Sequence, residues 1–261
     1  MSVLRILVAC EYSGAVRDAF RALGHDAISC DLLPTDAPGP HHMGDVIPLL
    51  SQSWDIVIAF PPCTHLCVSG AKHFAKKRAD GRQQQGIDFF MAFASAKQHR
   101  MAIENPVGIM SSIWREPDQI IQPWHFGDPH DKTTCLWLKN LPTLIHSAED
   151  DLFYKRTHVE RGRRHVTKSG KSLPQWYQDA LAEPDTGKAR SKTFQGIADA
   201  MAMQWSAFAL SARTNSQGAT AAMNPGAQLT LNTTPTAPAS DPPAPKMKGI
   251  DWSRMADNFT E

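Results

Sequence analysis

The sequence predicts an α/β fold, an open and mostly parallel sheet with helices on both faces. Three observations predict it. Short apolar runs alternate with helical patterns through the first half of the chain, the order that a parallel sheet with helical crossovers requires. The chain opens as strand, tight loop, helix, strand and acid, which is the order of one nucleotide-binding half of a doubly wound sheet. Two later apolar runs each end in a reactive polar residue beside proline, Phe60-Pro61-Pro62-Cys63 and Ile103-Glu104-Asn105-Pro106, where a strand empties into a loop.

The elements follow in order. Ile6-Leu7-Val8-Ala9 reads as a buried first strand, and Cys10-Glu11-Tyr12-Ser13-Gly14 as the loop after it. Val16, Ala19, Phe20 and Leu23 then share one face of a helix, which Gly24 ends. A second strand, Ala27-Ile28-Ser29-Cys30, terminates at Asp31. The first loop has a single glycine, and Glu11 would repel a pyrophosphate. A ligand with a ribose and a positive charge but no phosphate, such as S-adenosylmethionine, suits it better. Residues 54–60 form the next strand, followed by a basic loop around Lys72, Lys76, Lys77 and Arg78, a helix over 84–98 and a strand over 101–104. Strand character returns at 133–138, after Trp124-His125-Phe126-Gly127-Asp128-Pro129, and Leu141-Pro142 closes it. Periodicity fades between 143 and 190. It recovers over 193–205, where Phe194, Ile197, Ala198, Met201 and Trp205 make the apolar face of a closing helix. From 211 to 248 the chain is Ala, Thr, Pro, Ser and Asn, too polar to fold alone, and the aromatics of 250–259 are expected to ride on a solvated tail. There are no internal repeats.

A chain of 261 residues with 42% apolar content is that of an ordinary globular protein with room for one domain and an extension. The net charge of +1 makes no global case for a polyanionic partner, so such a site must come from local clustering. The five cysteines (Cys10, Cys30, Cys63, Cys67 and Cys135) form an odd set without a spacing framework and read as reduced thiols. The apolar run at 6–9 is too short for a signal segment and no run reaches membrane-spanning length. A cytoplasmic monomer is expected.

In a parallel sheet Cys63 and Glu104 would emerge at one carboxyl edge, where ligands of such sheets bind. A thiol and a carboxylate facing one pocket suit covalent attack on an electrophilic ring with assisted protonation. Cys63, His65 and Cys67 alternate, and His41-His42 lie upstream, but zinc favours Cys-x-x-Cys or longer spacing and no second pair follows. No metal ligands are assigned.

The ordered set of loop 10–14, Asp31, Gly44-Asp45, Phe60-Pro61-Pro62-Cys63, Glu104-Asn105-Pro106 and Phe126-Gly127-Asp128-Pro129 resembles the DNA cytosine-5 methyltransferase family. The resemblance covers about residues 4–142, with a weaker match at 193–205, and the compact form is similar to phage or prophage versions. It implies a Rossmann-like methyltransferase core over 1–142, a short basic recognition segment over 143–190, a closing helix over 191–208 and a disordered tail over 209–261. It also implies S-adenosylmethionine as cofactor, with Cys10, Glu11, Tyr12, Ser13 and Gly14 on the first cofactor loop. Asp31 and Leu32 would cover the ribose and Asp45 the adenine amino group, and Pro61 would be a further cofactor-binding residue. Cys63 would add to cytosine C6, Glu104 would hold the ring N3, and Asn105 would shape the turn. The family's Gln-x-Arg-x-Arg motif is altered here, Lys132 standing for the first arginine and Thr134 for the second. That loses a guanidinium fork.

Between 155 and 171, Lys155, Arg156, Arg161, Arg163, Arg164, Lys168 and Lys171 stand against Glu160 alone, a phosphate-binding surface where the family inserts its target-recognition segment. Duplex DNA is the expected partner, with the base flipped out to reach Cys63 and 64–82 as the lid. A tRNA or free-nucleotide substrate, and a catalytically degenerate nucleic-acid-binding protein of the same fold, remain open at the level of sequence.

Overall fold

The apolar runs become strands covered on both sides. Ile6 and Val8 of β1 (Arg5–Ala9) face one helical layer while Leu7 and Ala9 face the other. In β4 (Ile56–Ala59), Ile56 and Ile58 likewise join the first layer and Val57 and Ala59 the second. This computed structural model describes residues 2–150, 155–168 and 170–221. The remaining strands of the main sheet are β2 (Asp26–Asp31), β3 (His41–Met43), β5 (Met101–Pro106), β6 (Gln119–Ile121) and β7 (Thr134–Lys139). Their order is β3-β2-β1-β4-β5-β7-β6. Pairing from β3 through to β5 is parallel, whereas β7 runs antiparallel to both β5 and β6. The expected open, mostly parallel α/β sheet, with helices on both faces, is therefore present.

One face is covered by α1 (Ala15–Ala22) and α7 (Gln195–Ala221), where Phe20 and Trp205 are wholly buried. The other carries α3 (Arg82–Ala94), whose Phe90 meets Trp114, at the end of the short helix α4 (Met110–Ile113), and Trp137 edge to face at 5.9 and 5.2 Å. Helix α3 starts earlier than the expected 84–98, because Gly81 in a left-handed conformation (φ 83°) supplies its entry, and it ends at Ala94. The edge strands β3 and β6 were not expected. Each is three residues long and neither carries a sustained apolar run.

Beyond the sheet, β8 (Arg164–Val166) and β9 (Ser172–Pro174) form an antiparallel hairpin, followed by the short helices α5 (Gln175–Ala182) and α6 (Thr186–Ser191). Helix α7 corrects the expected boundary at 208, for it continues to Ala221. Its own Ala209 is buried in the core, and Arg213 binds the Val3 carbonyl and the Asp55 carboxylate, tying the extension to the starts of β1 and β4. The remainder of the expected tail, with its terminal aromatics, lies outside the described residues. No helix of the described residues is long and apolar enough to cross a membrane.

Candidate active site

Strands β1, β2, β4 and β5 are parallel, so Cys10, Asp31, Phe60 and Glu104 all stand at or near the same carboxyl edge. The reversal of β7 brings a further element there. Glu104 lies opposite Leu136 and Pro106 opposite Thr134, so the approach to β7, with Lys132, enters at the edge where the other strands end. Asn105, 2% exposed, donates from Nδ2 to the Pro61 carbonyl at 2.7 Å and to the Glu104 carbonyl at 3.1 Å. It thus locks the β5 exit to the Pro-Pro turn. The Cys63 carbonyl accepts from both Leu66 N and Cys67 N at 2.9 Å, which fixes the following turn. Residues 64–82 begin as a pinned segment, with Leu66 fully buried and Lys77 Nζ donating to the Thr64 carbonyl at 2.6 Å. They continue as the 3-10 helix Val68–His73 and the helix α2 (Phe74–Ala79).

Burial pushes the Cys63 thiol up to about 11; Cys67 and Glu104 add to the rise, while the positive charges of Lys132 and Arg190 oppose it. Burial also raises the Glu104 carboxyl above its ordinary range, against the pull of Lys132. Lys132 Nζ reaches the Lys192 carbonyl at 3.4 Å and lies 5.9 Å from the Phe194 ring. Phe60, Glu104, Lys132, Thr134, Thr193 and Phe194 line a narrow pocket there. A wider hollow lined by Leu50, Trp54, Ala96 and His99 contains none of these groups.

On the cofactor side, Cys10 adopts a left-handed backbone (φ 59°), costing about 1–2 kcal/mol for a non-glycine residue. Its thiol is raised by burial and then by Asp31, Cys30 and Asp45, so both acids gather around it. Asp31 Oδ1 accepts from Leu33 N at 2.9 Å, and burial raises its carboxyl. Asp45 Oδ1 accepts from Ile47 N at 2.9 Å, opening the 3-10 turn Ile47–Ser51. Leu32 is exposed beside Asp31. Glu11 is placed differently from the expectation. Its carboxylate accepts from Val16 N at 2.7 Å, Arg17 N at 3.3 Å and the Ser13 hydroxyl at 3.2 Å, so it caps α1 rather than offering itself to a ligand. Ser13 Oγ in turn accepts from Ala15 N, and Gly14 supplies the left-handed turn (φ 79°). The Tyr12 hydroxyl is committed to the Lys188 carbonyl and to Ser191, which lays α6 over this loop. Two acids beside a helix entry offer the charge and hydrogen-bond acceptors that a cationic, ribose-bearing cofactor calls for. Asp31, Leu32 and Asp45 are the residues suited to hold it.

The basic segment divides in two. Arg164 pairs with Asp131 at 2.6 Å and binds Ser172 through its Nε and Nη2, so its guanidinium serves the hairpin rather than a free phosphate face. Arg156 donates to the His158 carbonyl, and Arg161 lies 4.8 Å over the Trp124 ring. Lys155, Arg163, Lys168 and Lys171 are exposed. The segment is docked on the loop that leads to Lys132. Thr157 Oγ1 donates to the His125 carbonyl, Val159 N to the Trp124 carbonyl, and Trp176 Nε1 to the Asp131 carbonyl. Burial pushes His125 down to about 4, with His146, His158 and Arg161 adding to the fall. Burial also lowers His146 and His158.

Three contributors escaped the sequence reading. Arg17, fully buried in α1, binds Ser29 and Thr35 hydroxyls and the Ala37 and Pro38 carbonyls, holding the loop that presents Asp36 to Lys188. Arg190 brings a guanidinium toward Cys63 from α6; its Nε is buried without a hydrogen-bond partner and it lies 4.5 Å over the Tyr177 ring. Asp128 caps α7 through a 2.7 Å bond from Gly196 N. The signal for Arg190 was the missing guanidinium at 132 and 134, but nothing local said which arginine would replace it.

No protein-family model and no curated protein matches the chain. Among solved structures it is similar to a methyltransferase of Entamoeba histolytica, EhMeth, at 12% identity and a TM-score of 0.35, over 70% of this chain and 66% of that one. The chain thus spans slightly less than two thirds of that structure's length.

Proposed function

We propose that the protein methylates cytosine at C5 in DNA, using S-adenosylmethionine and a transient covalent bond from Cys63. The observation that carries the reading is the meeting of Cys63 and Glu104, flanked by Lys132 and Arg190, at the sheet edge that also carries the acid-lined first loop.

Cytosine is unreactive at C5 while its ring is aromatic. Cys63 releases its proton and adds as thiolate to C6, which turns the C5–C6 bond into an enamine. Glu104, whose burial favours the protonated form, gives a hydrogen bond or proton to N3 and neutralises the charge that the addition creates. Lys132 and Arg190 stabilise the thiolate before attack. S-adenosylmethionine, which Asp31, Leu32 and Asp45 would hold, would supply an electrophilic methyl group for C5, its sulfonium becoming a neutral thioether. Loss of the C5 proton to water then lets the C6–S bond break, and Cys63 returns as thiolate. Lys155, Arg163, Lys168 and Lys171 provide the phosphate contacts, and the flipped base enters beside Phe60.

Incubation with methyl-labelled S-adenosylmethionine and separate duplex DNA, single-stranded DNA, tRNA and dCMP tests the reading, with the modified base mapped. Label on C5 of cytosine in duplex DNA is expected. Cys63→Ser abolishes the transfer, because a serine hydroxyl is far less acidic, and leaves cofactor binding by calorimetry within about twofold. Undiminished transfer by that variant sinks the covalent mechanism. Label on tRNA or dCMP alone reassigns the substrate and keeps the chemistry.

A further inference from the structure

Away from the cysteine edge, three imidazoles converge where the basic segment meets the sheet. His125 belongs to the 3-10 helix Pro123–Phe126, His146 to the chain leaving β7, and His158 to the segment that returns after residues 151–154. One ring nitrogen from each lies within 4.8 Å of the other two, and His146 Nδ1 is 2.7 Å from His158 Nε2. His125 stacks on His146 at 4.2 Å and on His158 at 4.8 Å, and Trp124 stands edge-on to His125 and His158 at 4.1 and 5.1 Å. All three histidines are half-buried.

We propose that His125, His146 and His158 form a site for a divalent metal of the zinc class, which clasps the basic segment to the loop carrying Lys132. The donor set selects the metal. Three neutral imidazoles with no carboxylate among them suit zinc, cobalt or nickel, and do not suit calcium or magnesium, which take oxygen ligands. The nearby charges are the cations Arg156 and Arg161, so the ion is held by lone-pair donation rather than by opposite charge. Tetrahedral zinc with bonds of about 2.0–2.1 Å leaves its fourth position to water. A centre of that size needs the 2.7 Å pair to part slightly and the widest pair to close by about 1 Å or more, a change that ring rotation supplies. His125 Nδ1 accepts a long 3.3 Å bond from Gln122 N, which is released when the ring proton shifts or that nitrogen takes the metal.

Each ligand is anchored on separate backbone. Ile145, before His146, exchanges hydrogen bonds with Gln204 of α7 at 2.7 and 2.9 Å. His158 N and Thr157 N both donate to the Ser147 carbonyl, and Thr157 Oγ1 donates to the carbonyl of His125 at 2.6 Å. A metal at this point joins the sheet, the closing helix and the root of the segment that carries Lys155, Arg163, Lys168 and Lys171. The alternating Cys63, His65 and Cys67 do not assemble as a ligand group among the described residues.

The test uses the full chain, stripped with EDTA and given zinc or cobalt(II). One equivalent of zinc retained after dialysis, a d–d absorption of tetrahedral nitrogen-ligated cobalt(II), and slower proteolysis within residues 155–171 are expected. His146→Ala and His158→Gln each lower zinc affinity at least tenfold, whereas Cys63→Ser retains the full equivalent and so excludes the thiol edge. Because each substitution also removes a stacked ring, native circular dichroism is checked for both, and His158→Gln, which keeps a polar side chain of similar length, is the deciding variant. No stoichiometric metal in the wild type, or undiminished binding by His158→Gln, overturns the proposal and leaves the three rings as a packed aromatic stack. None of these readouts depends on methyl transfer.

Discussion

Burial pushes the Cys63 thiol up to about 11, which favours the protonated form at neutral pH, whereas the proposed addition step needs the thiolate. Below that value the thiolate fraction rises about tenfold per pH unit. Removing Arg190 takes away one of the two cations that oppose the rise. Arg190→Ala is therefore expected to slow iodoacetamide labelling of Cys63 at pH 8 and to move its pH profile upward, followed by mass spectrometry of the Cys63 peptide. An unshifted profile would remove Arg190 from the site. Glu104 gives a second pH dependence. Its folded-state carboxyl is raised above the ordinary 4.5, so its contribution to stability is full below the unfolded value and is lost as pH rises through the folded one. Glu104→Gln, which cannot ionise, is expected to gain thermal stability relative to the wild type as pH climbs from 4 to 8 while transfer falls about 10²–10⁴-fold. A stability difference that shrinks over that range contradicts the assignment.

Helix α7 acts at both of its ends. At its start, Gly196 lies against the Phe126 carbonyl and its N–H binds Asp128 at 2.7 Å; any Cβ would collide with that carbonyl. The collision would displace the turn that leads to Lys132. Gly196→Ala is expected to cost about 1–3 kcal/mol and to reduce kcat more than cofactor affinity, read by denaturant titration and steady-state transfer. Equal loss of both kinetic terms would locate the damage elsewhere. Further along, Trp205 is wholly buried and donates Nε1 to the Pro142 carbonyl at 3.0 Å, which pins the helix across the exit of β7.

Across the whole molecule, the basic segment, α6 and the closing helix bear on the same edge from different sides. Lys188 and Lys192 both pair with Asp36, at 2.6 and 3.4 Å, and Arg17 holds the loop on which Asp36 sits. The loop after β1 is thus covered by chain from the far end of the sequence. In the proposed function the phosphate contacts fall to Lys155, Arg163, Lys168 and Lys171, each exposed on the hairpin or its approach. Each one changed to alanine is expected to lower the slope of log affinity against log salt for duplex DNA by about one. Arg164→Ala should instead destabilise the hairpin, because its guanidinium already serves Asp131 and Ser172. A salt slope untouched in the quadruple variant would move the DNA face elsewhere.

The sequence by itself determined the strands of the core, the loop after β1, the Pro-Pro-Cys exit and the position of Glu104 at a strand end, because all of these are written in local periodicity and turn chemistry. It missed β3 and β6, whose three-residue spans are too short to show a period. It also stopped α7 early, where Ala-rich helix former runs into a low-complexity tail. Only the tertiary structure decided which polar groups meet. The reversal of β7 brings Lys132 to Glu104, the packing of α6 delivers Arg190, and the return of the basic segment sets His158 beside His125 and His146. Glu11, read locally as a ligand contact, is taken by the backbone of α1. Such meetings join residues far apart in the chain, and neither propensity nor spacing encodes which distant partner arrives.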